Sequence, residues 1–197
     1  AQPQSHTVLI GCIVAKDPQC RGNHQVIHFG QDIGKERDGT LYLIHNTIIT
    51  PFVSAVVHLS APQARVYLVG NIIDDGGNGQ KNQVLAWGRE GGDPANMSGE
   101  RNFFPAGFVL EGTALDLIKN HLAAGEHPSF ADPAQHDYRL VRSQEGITNA
   151  GADLTQLHIA GADRAAVPIW HYRHPLQAEE RPHRGKLDLG AYEYPGD

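Results

Sequence analysis

Histidine is the residue type best placed to do chemistry in this chain. There are twelve in 197 residues, and at neutral pH an imidazole can bind a metal, hydrogen-bond a hydroxyl or change its charge. His28 and His58 occupy the same place in two similar apolar segments, Gln25 to Gly30 and Ala55 to Ser60. If those segments are neighbouring strands, the two imidazoles stand about 5 Å apart, close enough to share a metal ion or a sugar hydroxyl. His24 and His45 are the candidates for a third ligand, and a pair of solvated imidazoles fits the same spacing. Asp74 and Asp75 offer adjacent hard oxygen donors suited to a cation. Tyr42 and Tyr67 recur at matching positions, where a stack of rings would make a platform for the C–H faces of sugars. Two groups of charges complete the set: the loop Gln31 to Gly39, with five charges in nine residues including Lys35 and Arg37, and Arg89 beside Glu90. Each reads first as a solvated charged turn. The run His171-Tyr172-Arg173-His174 is similarly suggestive and similarly unspecific.

The elements that position these side chains repeat. Leu9 to Val14, Leu43 to Ile48 and Leu68 to Ile73 superimpose without gaps as an apolar strand, a small or polar turn and a second short strand, with Glu100 to Phe104 as a degenerate fourth copy. Cys12, Asn46, Asn71 and Asn102 then share one turn position. Asn side chains stacked at the strand spacing of about 4.8 Å can hydrogen-bond along the stack, which explains the recurrence. A second ladder lies between these copies, from Gln25 to Gly30, Ala55 to Ser60 and Gln83 to Gly88. It pairs Ile27 and Phe29 with Val57 and Leu59 and with Leu85 and Trp87 on one face, leaving His28, His58 and Ala86 on the other. In the first ladder Leu9, Leu43 and Leu68 point inward, so Tyr42 and Tyr67 point outward with Ile10, Ile44 and Val69. That apolar outer stripe is either a sugar platform or a surface covered by the C-terminal tail or another subunit. Copies 25 to 34 residues apart, in two interleaved ladders without two-residue hairpin signals, describe an all-β coil of parallel strands.

The strand, Asn turn and following apolar residue resemble the right-handed parallel β-helix repeat of the pectate-lyase-like superfamily. The tail is similar too: Phe130-Ala131-Asp132-Pro133, Asp137-Tyr138-Arg139-Leu140, Asn149 to Asp153, and Asp188-Leu189-Gly190-Ala191-Tyr192-Glu193-Tyr194 follow in the order that ends many secreted bacterial β-helix proteins. The resemblance implies a secreted, periplasmic or cell-surface protein related to polysaccharide lyases or glycoside hydrolases, acting on or binding an extended polysaccharide. It implies calcium, for which Asp74 and Asp75 are the candidate ligands, neutralising a uronate carboxylate. It also implies a Lys or Arg base, for which Lys35, Arg37 and Arg89 are of the right type, while Tyr42, Tyr67, His28 and His58 would contact the sugar. The alternative is a non-catalytic surface or assembly module that binds glycans or partner subunits.

Residues 1–112 read as few β-helix rungs and residues 113–197 as a short helix and an irregular capping tail packed on the same solenoid. The helix is expected over Thr113 to Ala124, from the spacing of Leu115, Ile118 and Leu122 with Thr113 and Gly125 as caps. A strand starting near Thr7 without a cap implies rungs missing from a longer parent, or end-to-end or face-to-face self-association. No targeting segment is legible in Ala1 to Ser5. Cys12 and Cys20 allow either a local disulfide or two thiols. A net charge of −6 gives no nucleic-acid footprint, and no apolar run approaches the roughly 18 residues of a membrane span.

Overall fold

A computed structural model describes residues 6–20, 22, 25–32, 35–36, 38–51, 55–76, 86–88, 92–107, 123–159 and 166–196. The chain visits three parallel sheets in a repeating order. Its first passage supplies β1 (Thr7–Ile10), β2 (Ile13–Ala15) and β3 (Ile27–Phe29), one strand for each sheet. A small antiparallel pair, β4 (Gln31–Asp32) and β5 (Lys35–Glu36), then precedes the second passage. That passage is β6 (Gly39–Ile44), β7 (Thr47–Ile49) and β8 (Val57–Leu59), and the third is β9 (Ala64–Val69), β10 (Ile72–Asp74) and β11 (Ala86–Gly88). A shortened fourth adds β12 (Met97–Glu100) and β13 (Phe103–Pro105), and β14 (Ala123–Gly125) pairs beside β13. The sheets are therefore ordered β1-β6-β9-β12, β2-β7-β10-β13-β14 and β3-β8-β11. Two antiparallel pairs form the tail, β15 (Phe130–Asp132) with β16 (Asp137–Leu140) and β17 (Trp170–Arg173) with β18 (Gln177–Glu180). The protein is all-β; among the described residues helix is confined to three single 3-10 turns, and none is long and apolar enough to cross a membrane.

The turn between the first two sheets shows why the sequence folds this way. Asn46, Asn71 and Asn102 are fully buried and stacked. Asn46 Nδ2 donates to Asn71 Oδ1 at 3.0 Å, and Asn71 Nδ2 donates to Asn102 Oδ1 at 2.8 Å. Each Oδ1 also accepts a backbone N–H from the neighbouring passage: Cys12 to Asn46, Asn46 to Asn71 and Asn71 to Asn102. Each amide satisfies a buried main-chain group that the bend removes from the strand ladders. The residue just before this position is left-handed in every copy, at φ +64° for Gly11, +48° for His45, +68° for Gly70 and +49° for Arg101. Left-handed backbone reverses the strand within one residue, at a cost of roughly 1–2 kcal/mol where the residue has a side chain.

Leu9, Leu43 and Leu68 pair in register, as do Tyr42 and Tyr67. Leu41, Leu43, Val57, Leu59, Val66, Leu68, Ile48 and Ile73 form the interior between the sheets. The outer apolar stripe is covered by the tail: Ile44 and Val69 pack with Leu154, Ile159 and Ala166, with Tyr42 and Tyr67 at the margin. Ile72 and Phe103 are likewise covered by Leu140, Ile147 and Leu189.

Two expectations need correction. The second ladder runs one residue off in its third copy, because Ala86 pairs with Val57, Trp87 with His58 and Gly88 with Leu59. Trp87 thus takes the register position of the histidines, not that of Leu59. At the expected helix, residues 113–122 lie outside the described residues, but Ala123 and Ala124 belong to β14, so parallel pairing with β13 takes the place of a helix end. Cys12 and Cys20 are not joined by a disulfide. Burial raises the Cys12 thiol pKa, and its Sγ donates to the Ile10 carbonyl.

Candidate functional site

Asp74 ends β10 on the register line Ala15, Ile49, Asp74, so a carboxylate stands where the neighbouring strands carry apolar side chains. Asp75 follows it, and both are almost completely buried. His127 arrives from the tail and places its Nδ1 2.7 Å from Asp74 Oδ1 and 3.3 Å from Asp75 Oδ1. The Gly76 amide donates to the second oxygen of Asp74 at 2.7 Å. Burial raises the Asp74 pKa, with the His127 contact opposing it. The two carboxylates hold the His127 imidazole above its ordinary range against the opposing effect of its own burial. One ligand atom from each of the three residues lies within 4.8 Å of the others.

Beside this cluster the tail leaves an open trough against the outer face of the second sheet. Three adjoining clefts of about 770, 430 and 560 Å³ share lining residues. The first begins at Gly76, next to the acidic pair, and runs past Ile49, Ala15 and Tyr138. The second passes Cys12, Tyr138 and Tyr172, and the third ends among His136, Arg139, Arg173 and His174. At that end charge is arranged in pairs. Arg139 donates from Nε and Nη2 to the two Asp137 oxygens, at 2.8 and 2.5 Å, which holds the Asp137 carboxyl below its usual range. His171 and Arg173 both reach Glu179, at 2.8 and 3.4 Å, and the His171 hydrogen bond lowers the Glu179 pKa. The Tyr192 hydroxyl donates to the Tyr172 carbonyl and is pushed up to about 12, chiefly by burial.

Compared with protein-family models, with curated proteins and with solved structures, the chain matches none. Its chemistry rests on the geometry alone.

The structure brings His28 and His58 together, stacked with ring centroids 4.7 Å apart and planes 12° from parallel. They differ in environment: His28 is exposed and shares a 2.7 Å hydrogen bond with Ser60 Oγ, whereas His58 is buried. Neither joins a three-ligand cluster among the described residues, and His24 lies outside them. His45, the other proposed ligand, points elsewhere. It is fully buried, its Nδ1–H donates to the Asp188 carbonyl at 2.8 Å, and burial drives its pKa down to about 3. Tyr42 and Tyr67 adjoin at 6.3 Å but are half-buried beneath the tail, and the Tyr67 hydroxyl donates to Glu100. Arg37 and Arg89 lie outside the described residues; the backbone of Lys35 pairs with Asp32 in the β4–β5 turn. Asp74 and Asp75 were legible as a pair. His127 was not, because it comes from a segment without repeats, 53 residues along the chain from Asp74. His136, Tyr138, Arg139 and Glu179 were missed as trough residues for the same reason, although the Tyr172 and His174 cluster had been marked by composition.

Proposed function

We propose that the chain forms a right-handed parallel β-helix which binds an extended, uronate-containing polysaccharide along the trough, as a relative of polysaccharide lyases or glycoside hydrolases. The three-sheet succession repeated by β1 to β11 supports the coil. Crossovers between parallel strands are almost always right-handed, which supports the hand. The observation that carries the binding reading is the trough itself. Three adjoining clefts suit a polymer better than a small metabolite, the Tyr172 ring offers a sugar-stacking face, and the Arg139 and Arg173 guanidiniums keep N–H donors beyond those that hold Asp137 and Glu179. In the lyase form of this reading a base, for which Lys35, Arg37 and Arg89 are the candidates although none is among the described lining residues of the trough, takes the proton beside a uronate carboxylate while the glycosidic C–O bond on the next carbon breaks, leaving a C=C bond and a released sugar hydroxyl. A secreted or cell-surface location goes with the reading.

Affinity electrophoresis in gels containing pectate, alginate or a glycosaminoglycan tests it, with a neutral glucan as control. Retardation by an acidic polymer, weakened in Tyr172→Ala and Arg173→Ala, is expected. Equal mobility in every gel would remove the proposal. Ultraviolet absorbance of unsaturated sugar ends in the same mixtures separates lysis from binding.

A second reading, an assembly module, is favoured by the end formed by β1, β2 and β3. Among the described residues these are the terminal strands of their sheets, and Leu9, Val14, Ile27 and Phe29 are only partly buried. Light scattering after size exclusion is then expected to show association that grows with concentration; a strictly monomeric species at all concentrations argues against it.

A further inference from the structure

We propose that Asp74, Asp75 and His127 form a binding site for a borderline divalent transition metal such as zinc, in preference to calcium. The proposal stands independently of the polysaccharide reading.

The first ground is the donor set. Calcium takes six to eight oxygens, whereas an imidazole nitrogen with two carboxylates is the ligand chemistry of zinc and its neighbours. His127 turns Nδ1, a ring nitrogen that becomes a ligand once its proton is displaced, toward both acids. Three protein ligands leave a fourth position open, as in zinc sites where a water or substrate completes the coordination.

The second ground is spacing. With metal–ligand distances of about 2.0–2.1 Å, donors around a tetrahedral zinc lie about 3.3 Å apart. His127 Nδ1 and Asp75 Oδ1 are at 3.3 Å. The pair His127 Nδ1 and Asp74 Oδ1, at 2.7 Å, is drawn together by a shared proton. Replacing that proton by a metal requires a shift of about half an ångström, within reach of an imidazole that is 45% exposed and can move.

Charge is the third ground. Both carboxylates are 2% exposed as residues, and burying ionised acids is costly unless positive charge compensates them. A divalent cation held between them adds positive charge at the point where the two acids face His127. The backbone prepares the site, since the Gly76 amide fixes the Asp74 oxygen that faces away from His127. The partial exposure of His127 provides an entry path, and Gly76 connects the site to one end of the trough.

The test is isothermal titration of untagged, chelator-treated protein with zinc, manganese and calcium chlorides, paired with thermal unfolding in each metal. Zinc is expected to bind one per chain, at least about tenfold more tightly than manganese or calcium, and to raise the melting temperature. His127→Ala, at a half-exposed position outside the sheets, is expected to fold and to lose at least about tenfold in zinc affinity. Asp74→Asn is expected to lose it as well; should that buried variant misfold, His127→Ala and Asp75→Asn still decide the question. Zinc binding of unchanged strength in His127→Ala would assign the metal to other histidines and overturn the proposal, as would stoichiometric calcium binding tighter than zinc or the absence of stoichiometric zinc binding.

Discussion

His45 carries an unusual load for one residue: a left-handed backbone, full burial and a hydrogen bond across to the tail. Its folded pKa of about 3 lies below the ordinary 6.5, so the folded protein resists a proton that the unfolded chain accepts. Stability is therefore expected to fall as pH drops below about 6.5, and to keep falling until about 3. At about 1.4 kcal/mol per unit the full effect is on the order of 5 kcal/mol. His45→Asn tolerates left-handed backbone and does not titrate. It should melt lower at pH 7, yet show a flatter dependence of melting temperature on pH between 6.5 and 4; parallel curves for the two proteins would refute the assignment. The neighbouring turn makes a linked case. A Cβ at Gly70 would run into the His45 imidazole, and Gly70 is itself at φ +68°. Gly70→Ala is expected to cost about 3 kcal/mol or more in denaturant titrations, from backbone strain and collision together. In a His45→Gly background only the strain part should remain.

At the scale of elements, the stacked Asn turn holds two sheets in register. Removing the Asn71 side chain leaves the Asn46 amide and the Leu43 carbonyl buried without their partner. At about 1–3 kcal/mol for each unsatisfied group, Asn71→Ala should cost roughly 3–5 kcal/mol in chemical unfolding. The end of the ladder gives the opposite case. Cys12 already donates its amide to Asn46 Oδ1, so Cys12→Asn would add a side-chain donor to the same oxygen and is expected to stabilise by about 1 kcal/mol; a loss of stability would show that the ladder cannot be extended there. These turns are also why part of the fold could be read from the sequence. Leu-x-x-Asn marks its own register, and the Leu9, Leu43 and Leu68 alignment matched the pairing. The second ladder has no such marker. Its third copy slipped by one residue, which is enough to exchange the two faces of a strand. The site was half legible for a related reason: Asp74 and Asp75 follow directly on a copy of the repeat, while His127 approaches from a segment whose position no local pattern dictates.

For the whole molecule the question is whether the tail is an attachment or part of one cooperative unit. It is fastened through Arg181, which is buried and donates from Nε to Glu193 at 2.6 Å and from its two terminal nitrogens to the Gly190 and Asp188 carbonyls. Glu193 also accepts the Asp188 amide, and Asp188 in turn accepts the Asn149 amide. This network holds Gly190 and Ala191 against the sheet turn, where Gly190 donates to the Gly70 carbonyl and Ala191 to Thr47 Oγ1. At φ +81°, with Thr47 and Ile72 where a Cβ would lie, position 190 admits only glycine without rearrangement. Glu193→Gln would strand the Arg181 charge in the interior, at a cost of about 3–5 kcal/mol. Detaching the tail would also expose Ile44, Val69, Ile72 and Phe103 on the sheets. At about 1.5–3 kcal/mol per side chain that comes to the order of 10 kcal/mol, comparable to the entire stability of a typical domain. The sheets should therefore not survive without their cover. Glu193→Gln is expected to lower the melting temperature in one transition, and hydrogen exchange should then show the Asn71 amide losing protection together with that of Ala191. Two separate transitions, with Asn71 still protected after Ala191 exchanges, would mean that the sheets stand alone and the tail is a removable cover.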